Sequence, residues 1–254
     1  MMSKFLLQSE DGMLSEDVTT VRECIHEYNW LNPNDKHEIR YASKADIAYT
    51  DYSDFIPVGS IEFVEECLRN YNGISQIKPV LIPDELSAFA GRNYCLFENS
   101  SSLSDTLALW RQPRVFIKSA SRCKCDYAGF YNIKEISRIP EDLYFVSEPL
   151  SIVSEWRAFV FVGEVQDVRC YDGDFWKMPD KETVERMIKS YRDCSPAYTL
   201  DVAVVKTEAG FRTVVMEVHN FISCGLYGFR SKRILPMLSG AYKYEIRQNQ
   251  KFQS

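Results

Sequence analysis

Hydrophobic positions change their spacing several times along the chain, and each change marks an expected element. A short apolar run from Phe5 to Gln8 predicts a strand, and apolar residues every three or four positions from Glu16 to Tyr28 predict a helix. A short run, Glu38 to Ala42, precedes a second helical stretch from Ile61 to Tyr71 and a strand-like run from Pro79 to Ile82. The helix from Ile61 sets Phe63, Val64, Cys67, Leu68 and Tyr71 at core-face spacing, and Ser60 is placed to cap it. Strands and helices alternating in this way imply a small α/β lobe.

From Glu98 to Asp105 the sequence turns polar, ENSSSLSD, which predicts a border between an N-terminal lobe, residues 1–100, and a second region, residues 101–254. Beyond it the apolar period shortens. RVFIKSASRCKCDYAGFY reads as strand, polar loop and strand, and EWRAFVFVGEVQDVRCYDG as a hairpin turning at Gly163-Glu164. A helix from Lys181 to Asp193, capped by Asp180 and stopped by Pro196, would bury Val184, Met187, Ile188 and Tyr191. Two further strands, AYTLDVAVVKT and RTVVMEVHNF, meet at a turn at Ala209-Gly210, and a helix from about Ser231 to Tyr244 closes the chain. The second region is thus antiparallel sheet with one covering helix, an α+β architecture.

Composition narrows the ligand more than the fold. With 254 residues, 45% hydrophobic and 26% charged, the chain can bury a substantial core as one large domain or two close lobes. Its formal net charge of -6 offers no global field for nucleic acid or anionic lipid, so a polyanionic ligand would need a local cluster of Lys and Arg. No stretch matches a signal peptide or the roughly 18 uninterrupted apolar residues of a membrane span, and the expected location is the cytoplasm. The eight cysteines include no CxxC pair and no zinc spacing, which favours reduced, mostly buried thiols.

A basic cluster is present. Lys118 ends an apolar strand, Arg122 and Lys124 follow in the next loop, Arg157 sits among apolar residues of WRAFVFV, and Arg169 lies on the expected partner strand. An unpaired buried guanidinium is too costly to tolerate, so Arg157 requires an anion. That anion is either an ordinary partner such as Glu155 or Asp167, or a ligand phosphate; Lys118 is likewise either a solvated strand end or a ligand contact. The acidic side matches. Asp201 in LDVAV and Glu217 in VVMEVHNF fall on neighbouring strands, and His219 shares the face of Glu217. Together they could hold one or two magnesium ions between ATP phosphates, with His219 the weakest ligand because magnesium prefers oxygen; carboxylates paired with Lys or Arg, without metal, are the structural alternative.

The segments FIKSASRCKCDYAGF, SEPLSIVSEWRAFVFVGEV, VRCYDG, TLDVAVV and VVMEVHNFISCGLYGF, in that order, resemble the ATP-grasp fold, specifically its clade named for two arginines and one lysine. The resemblance spans about Pro57 to Phe229. It implies two α+β lobes clasping a nucleotide, preceded by the small N-terminal lobe, and an ATP- and magnesium-dependent ligase joining a carboxylate to an amine through an acyl phosphate. It implies that Lys118 contacts the α and β phosphates and that Lys124 lies in a loop closing over them. Glu148, Pro149 and Leu150 would form the strand whose backbone meets adenine, with Glu155 near the ribose. Arg157 and Arg169 would address the phosphates or the acyl phosphate, and Asp201 and Glu217 would be the metal carboxylates. The family's third metal ligand, usually Asn two residues after the Glu, falls on His219; Asn220 is one place too late. The carboxylate and amine substrates, small molecules or a protein or peptide, are not legible.

Two other classes fit parts of this pattern. An ATP-binding assembly factor, like the clade's eukaryotic cell-division-cycle relative, would suit the His219 departure. A nucleotidyltransferase that takes AMP on Lys124 would suit KCDYAG, which loosely resembles K-x-D-G with one residue inserted.

Overall fold

The computed structural model describes residues 2–97, 113–132, 136, 139–140, 142–192 and 194–251. The expected ENSSSLSD border lies outside these residues. Among them no helix is long and apolar enough to cross a membrane.

The first unit is a three-stranded parallel sheet in which β1 (Lys4–Gln8) lies between β2 (Glu38–Ala42) and β3 (Ile56–Val58). Two helices cover it, α1 (Glu16–Leu31) and α2 (Ile61–Asn72), which starts at Ser60: the Ser60 Oγ accepts from Phe63 N at 3.3 Å. Phe63, Val64, Cys67 and Leu68 are buried as their spacing predicts, against Phe5, Leu6 and Leu7 of β1. The run Pro79–Ile82 is not a strand. It makes an isolated bridge between Leu81 and Val218 instead of a ladder, because Leu81 takes a left-handed conformation (φ 59°) and prolines on both sides offer no N–H.

Two antiparallel sheets follow. One has the order β4-β7-β5-β6, from β4 (Tyr94–Phe97), β5 (Arg114–Ser119), β6 (Gly129–Asn132) and β7 (Tyr144–Ser147). β4 therefore pairs into this sheet although it precedes residue 100. The other has the order β11-β10-β8-β9, from β8 (Ile152–Phe161), β9 (Glu164–Gly173), β10 (Ala197–Thr207) and β11 (Gly210–Asn220). Its first hairpin turns on Val162-Gly163, one residue earlier than expected, with φ of 51° and 76°. That is the primed turn whose twist suits a two-residue hairpin, and Gly163 fills its second position without strain.

Two helices, not one, cover this second sheet. Helix α3 (Lys181–Ser190) packs Val184, Met187 and Ile188 on the face of Trp156, Ala158, Val160 and Leu200. Helix α4 (Ile234–Lys251), longer than expected, packs Leu235, Met237 and Ala241 on the face of Phe159 and Ala197, in one core with β1, α1 and α2. The chain's last helix thus joins the N-terminal unit to the second sheet. Arg157 lies two residues from Phe159, so it points from that same face, toward the N-terminal unit.

Candidate active site

Strand register assembles the site. Across the β11-β10-β8-β9 sheet, Glu217 pairs with Asp201, Asp201 with Arg157, and Arg157 with Arg169. Cross-strand partners share a face, so two acids and two bases from four strands stand in one row. Lys118 reaches the end of this row from β5 of the other sheet and pairs with Glu217.

Arg157 is 7% exposed and Asp201 2%. The guanidinium binds the carboxylate in a fork, Nε to Oδ1 at 2.8 Å and Nη2 to Oδ2 at 2.7 Å, and Nη1 donates to the Gly225 carbonyl at 3.1 Å. The anion that Arg157 requires is therefore neither Glu155 nor Asp167 but the acid on the adjacent strand. Burial works against its charge, but the bonds and charge of Asp201 outweigh that and raise its pKa. The Tyr171 and Tyr227 rings stack with centroids 5.1 Å apart and flank the guanidinium at 5.9 and 5.1 Å. Arg169 is half-buried and pairs with Asp167, at 2.9 Å through Nε and 2.6 Å through Nη2. One of the ordinary partners weighed from sequence thus holds Arg169.

Asp201, Glu217 and His219 each bring one donor atom to within 4.8 Å of the others. His219 Nε2 is 3.0 Å from Glu217 and 3.7 Å from Asp201. Burial acts to raise the Glu217 carboxyl, but the His219 hydrogen bond and the Lys118 charge hold it well below the usual carboxylate range. Two carboxylates converging on one point suit a hard cation, and the imidazole is the less suited member. Asn220, the next residue along β11, lines the same cavity but gives its side-chain N–H to Glu245 of α4 at 2.9 Å.

Between the two sheets lies a cleft of about 280 Å³, lined by Lys118, Glu148, Pro149, Leu150, Glu155 and Glu217 together with Phe116, Phe145, Tyr171 and Met216. Glu148 exchanges bonds with Asn93: its N–H donates to the Asn93 carbonyl at 3.0 Å and its carboxylate accepts from Asn93 N at 2.9 Å. Burial raises the Glu155 pKa, opposed by a hydrogen bond with Tyr171, and raises that of Tyr171 as well. Lys118 and Lys124 line an adjoining cavity of about 790 Å³ with Glu217 and His219. Lys124 is exposed and pairs with Glu62 of α2 at 3.0 Å.

Several residues here escaped the sequence reading. Asp142 anchors the loop that carries Arg122 and Lys124, accepting from Ser119 Oγ at 2.7 Å, Ser121 Oγ at 2.5 Å and the Tyr127 hydroxyl. Arg92 is half-buried and donates to the carbonyls of Ala90 at 3.1 Å and Val215 at 3.0 Å, fixing the entry of β4 against β11. Tyr171 was legible, being two residues from Arg169 in an alternating strand; Asp142 and Arg92 lie in irregular backbone where no period singles them out.

The model of the ATP-grasp domain for family 2 of the clade named for two arginines and one lysine matches residues 89–237. No curated protein matches the sequence. Among solved structures, D-cycloserine synthetase DcsG superposes with a TM-score of 0.61 at 13% identity, over 96% of this chain and 100% of that one. D-alanine–D-alanine ligase from Bacillus anthracis gives 0.55 at 13% identity, over 98% and 99%. The ATP-grasp ligase PsnB, complexed with minimal precursor, gives 0.54 at 12% identity, over 96% and 100%.

Proposed function

Because the chain belongs to the second family of the two-arginine, one-lysine clade of ATP-grasp domains, we propose that it binds ATP between its two antiparallel sheets and uses it to join a carboxylate to an amine. The row of Glu217, Asp201, Arg157 and Arg169, met by Lys118 from the facing sheet, carries this reading. It sets separated positive and negative groups where the charge of a triphosphate is to be held and reshaped.

In this reading adenine lies in the cleft against Glu148, Pro149 and Leu150, the ribose near Glu155, and the phosphates between Lys118 and the loop of Lys124. Asp201 and Glu217 would hold magnesium, which neutralises phosphate charge when bound, and His219 fits it less well. Arg157 holds Asp201 in place through its two-point fork. Arg169, half-exposed beside it, is the guanidinium free to exchange Asp167 for a phosphate oxygen. A substrate carboxylate oxygen attacks the γ-phosphorus, the bond to the β-phosphate oxygen breaks, and ADP leaves. An amine then attacks the acyl carbon, phosphate departs, and the amine loses a proton. The chain's work is positioning and charge neutralisation, with no covalent intermediate on the protein.

The test is isotopic. A substrate pool labelled with oxygen-18 in its carboxylates should yield one labelled oxygen in the phosphate released from ATP. ATP hydrolysis with unlabelled phosphate would discard the acyl-phosphate route.

One observation favours a second reading, an ATP-binding assembly factor without ligation. The acids of the row are already neutralised by Arg157 and Lys118, so binding a metal requires them to change partners. Tight MgATP binding with no release of ADP across carboxylates and amines would select it. A lysine-bound AMP after incubation with radiolabelled ATP would instead select transfer to Lys124.

A further inference from the structure

The cleft continues beyond the nucleotide site. A cavity of about 370 Å³ runs past His219, Arg157 and Lys124 to Cys224 and Gly225. A second, of about 600 Å³, opens between α1, β3, the start of α2 and the segment from Phe221 to Leu226. The two share Ile61, Lys124, Ser223, Cys224 and Gly225, which marks their junction. The outer cavity has an apolar wall, Leu14, Val18, Val21, Val58, Phe221 and Leu226.

Its charges are sorted by position. Lys124 stands at the junction, while Glu10 and Asp17 line the outer cavity alone. Asp17 is half-buried, and among the described bonds accepts one, from Leu226 N at 3.1 Å. A carboxylate can accept several, so capacity remains. Burial raises its pKa, against the Leu226 hydrogen bond and the charge of Arg157. Glu10, more exposed, accepts from Gln8 Nε2 at 3.0 Å and Lys44 N at 3.2 Å. The backbone that donates to Asp17 through Leu226 also accepts from Arg157 through Gly225. One short segment therefore ties this cavity to the carboxylate row.

We propose that the outer cavity binds a free α-amino acid with an aliphatic side chain as the carboxyl substrate: its ammonium faces Asp17 and Glu10, its side chain lies on the apolar wall, and its carboxylate turns to Lys124 and the phosphates. A ligand with the opposite polarity would set a carboxylate against two acids, at a cost in the same range as the attraction it forgoes. This rests on the ligase reading above and names one of its two substrates.

The full chain with MgATP is titrated with L- and D-forms of alanine, valine and leucine, and with N-acetylleucine and 4-methylpentanoate, following heat of binding and ADP release. At least one free amino acid should bind and stimulate ADP release, and both derivatives lacking the ammonium should bind at least about tenfold more weakly, one charge-assisted contact being lost. Asp17→Asn keeps an oxygen for the Leu226 N–H and removes the charge; it should raise the KM for the amino acid at least about tenfold with the Kd for MgATP unchanged. Glu10→Gln, at an exposed position, should raise it less and serves if Asp17→Asn folds poorly. Equal binding of the N-acetyl or deaminated acid, or MgATP binding with no amino acid bound, overturns the assignment and leaves the nucleotide reading standing. Failure to bind MgATP removes both.

Discussion

Arg157 and Asp201 form a forked pair where water scarcely reaches, and such a pair is better judged by what its disruption costs than by what it contributes. Arg157→Ala would leave the Asp201 carboxylate buried without its counter-charge. Equilibrium denaturation should show a loss of about 3–5 kcal/mol, and Asp201→Ala added to it should recover part of that loss. A loss below about 1 kcal/mol would mean that water or another cation replaces the guanidinium. Lys118→Ala should behave differently, since Lys118 is half-buried at the sheet edge. Stability should change little while affinity for MgATP, measured calorimetrically, falls at least about tenfold. His219→Asn should leave turnover equal or higher, because an amide oxygen serves a hard cation better than an imidazole; lost turnover would give His219 a role of its own. These residues were legible as charges set among Val, Ala and Met, a placement that needs a reason. Their partners were not: sequence showed that Arg157 needed an anion, and only strand register identified it as Asp201.

Asp142 does for one loop what the Arg157 pair does for the sheet. Its side chain is 8% exposed and it gathers Ser119, Ser121 and Tyr127, holding the loop of Arg122 and Lys124 beside the cleft. Burial acts to raise its carboxyl, but the hydrogen bonds from Ser121, Tyr127 and Ser119 win and leave it well below the usual range. A carboxyl with a lowered folded-state pKa contributes stability above its unfolded value, about 3.9, and loses it as pH falls toward the folded value. The Tm of the wild type should therefore exceed that of Asp142→Asn most at neutral pH, and the difference should narrow below about pH 4. A constant difference down to about pH 2 would mean that geometry, not charge, holds the loop. Elements of this kind mark the limit of periodicity. The long helices and the four strands of the second sheet announced themselves through repeated spacing, whereas β3, three residues long, is too short to show a period. Hairpin turns were displaced by one residue because pairing, not the glycine, sets where a ladder ends.

The N-terminal unit, the β4-β7-β5-β6 sheet and the β11-β10-β8-β9 sheet meet around connected cavities, and α4, returning from the far end of the chain, packs the first of these against the last. A nucleotide bound between two sheets would tie them further, through contacts that the unfolded chain lacks. Such a ligand stabilises by RT ln(1 + [L]/Kd), about 2.7 kcal/mol at one hundred times its Kd. For a chain of this size that corresponds to a rise in Tm of roughly 5–10 °C. The rise should need magnesium if Asp201 and Glu217 receive it, because a cation shared by carboxylates and phosphates is then part of what binds. It should shrink in Lys118→Ala and Glu217→Gln but survive in Asp17→Asn, whose charge lies in the outer cavity alone. A scan in which ATP with EDTA stabilises as strongly as MgATP would separate nucleotide binding from the carboxylates. The row of charges across the second sheet would then serve to hold that sheet together, and the functional reading would have to move to the cleft residues between Glu148 and Glu155.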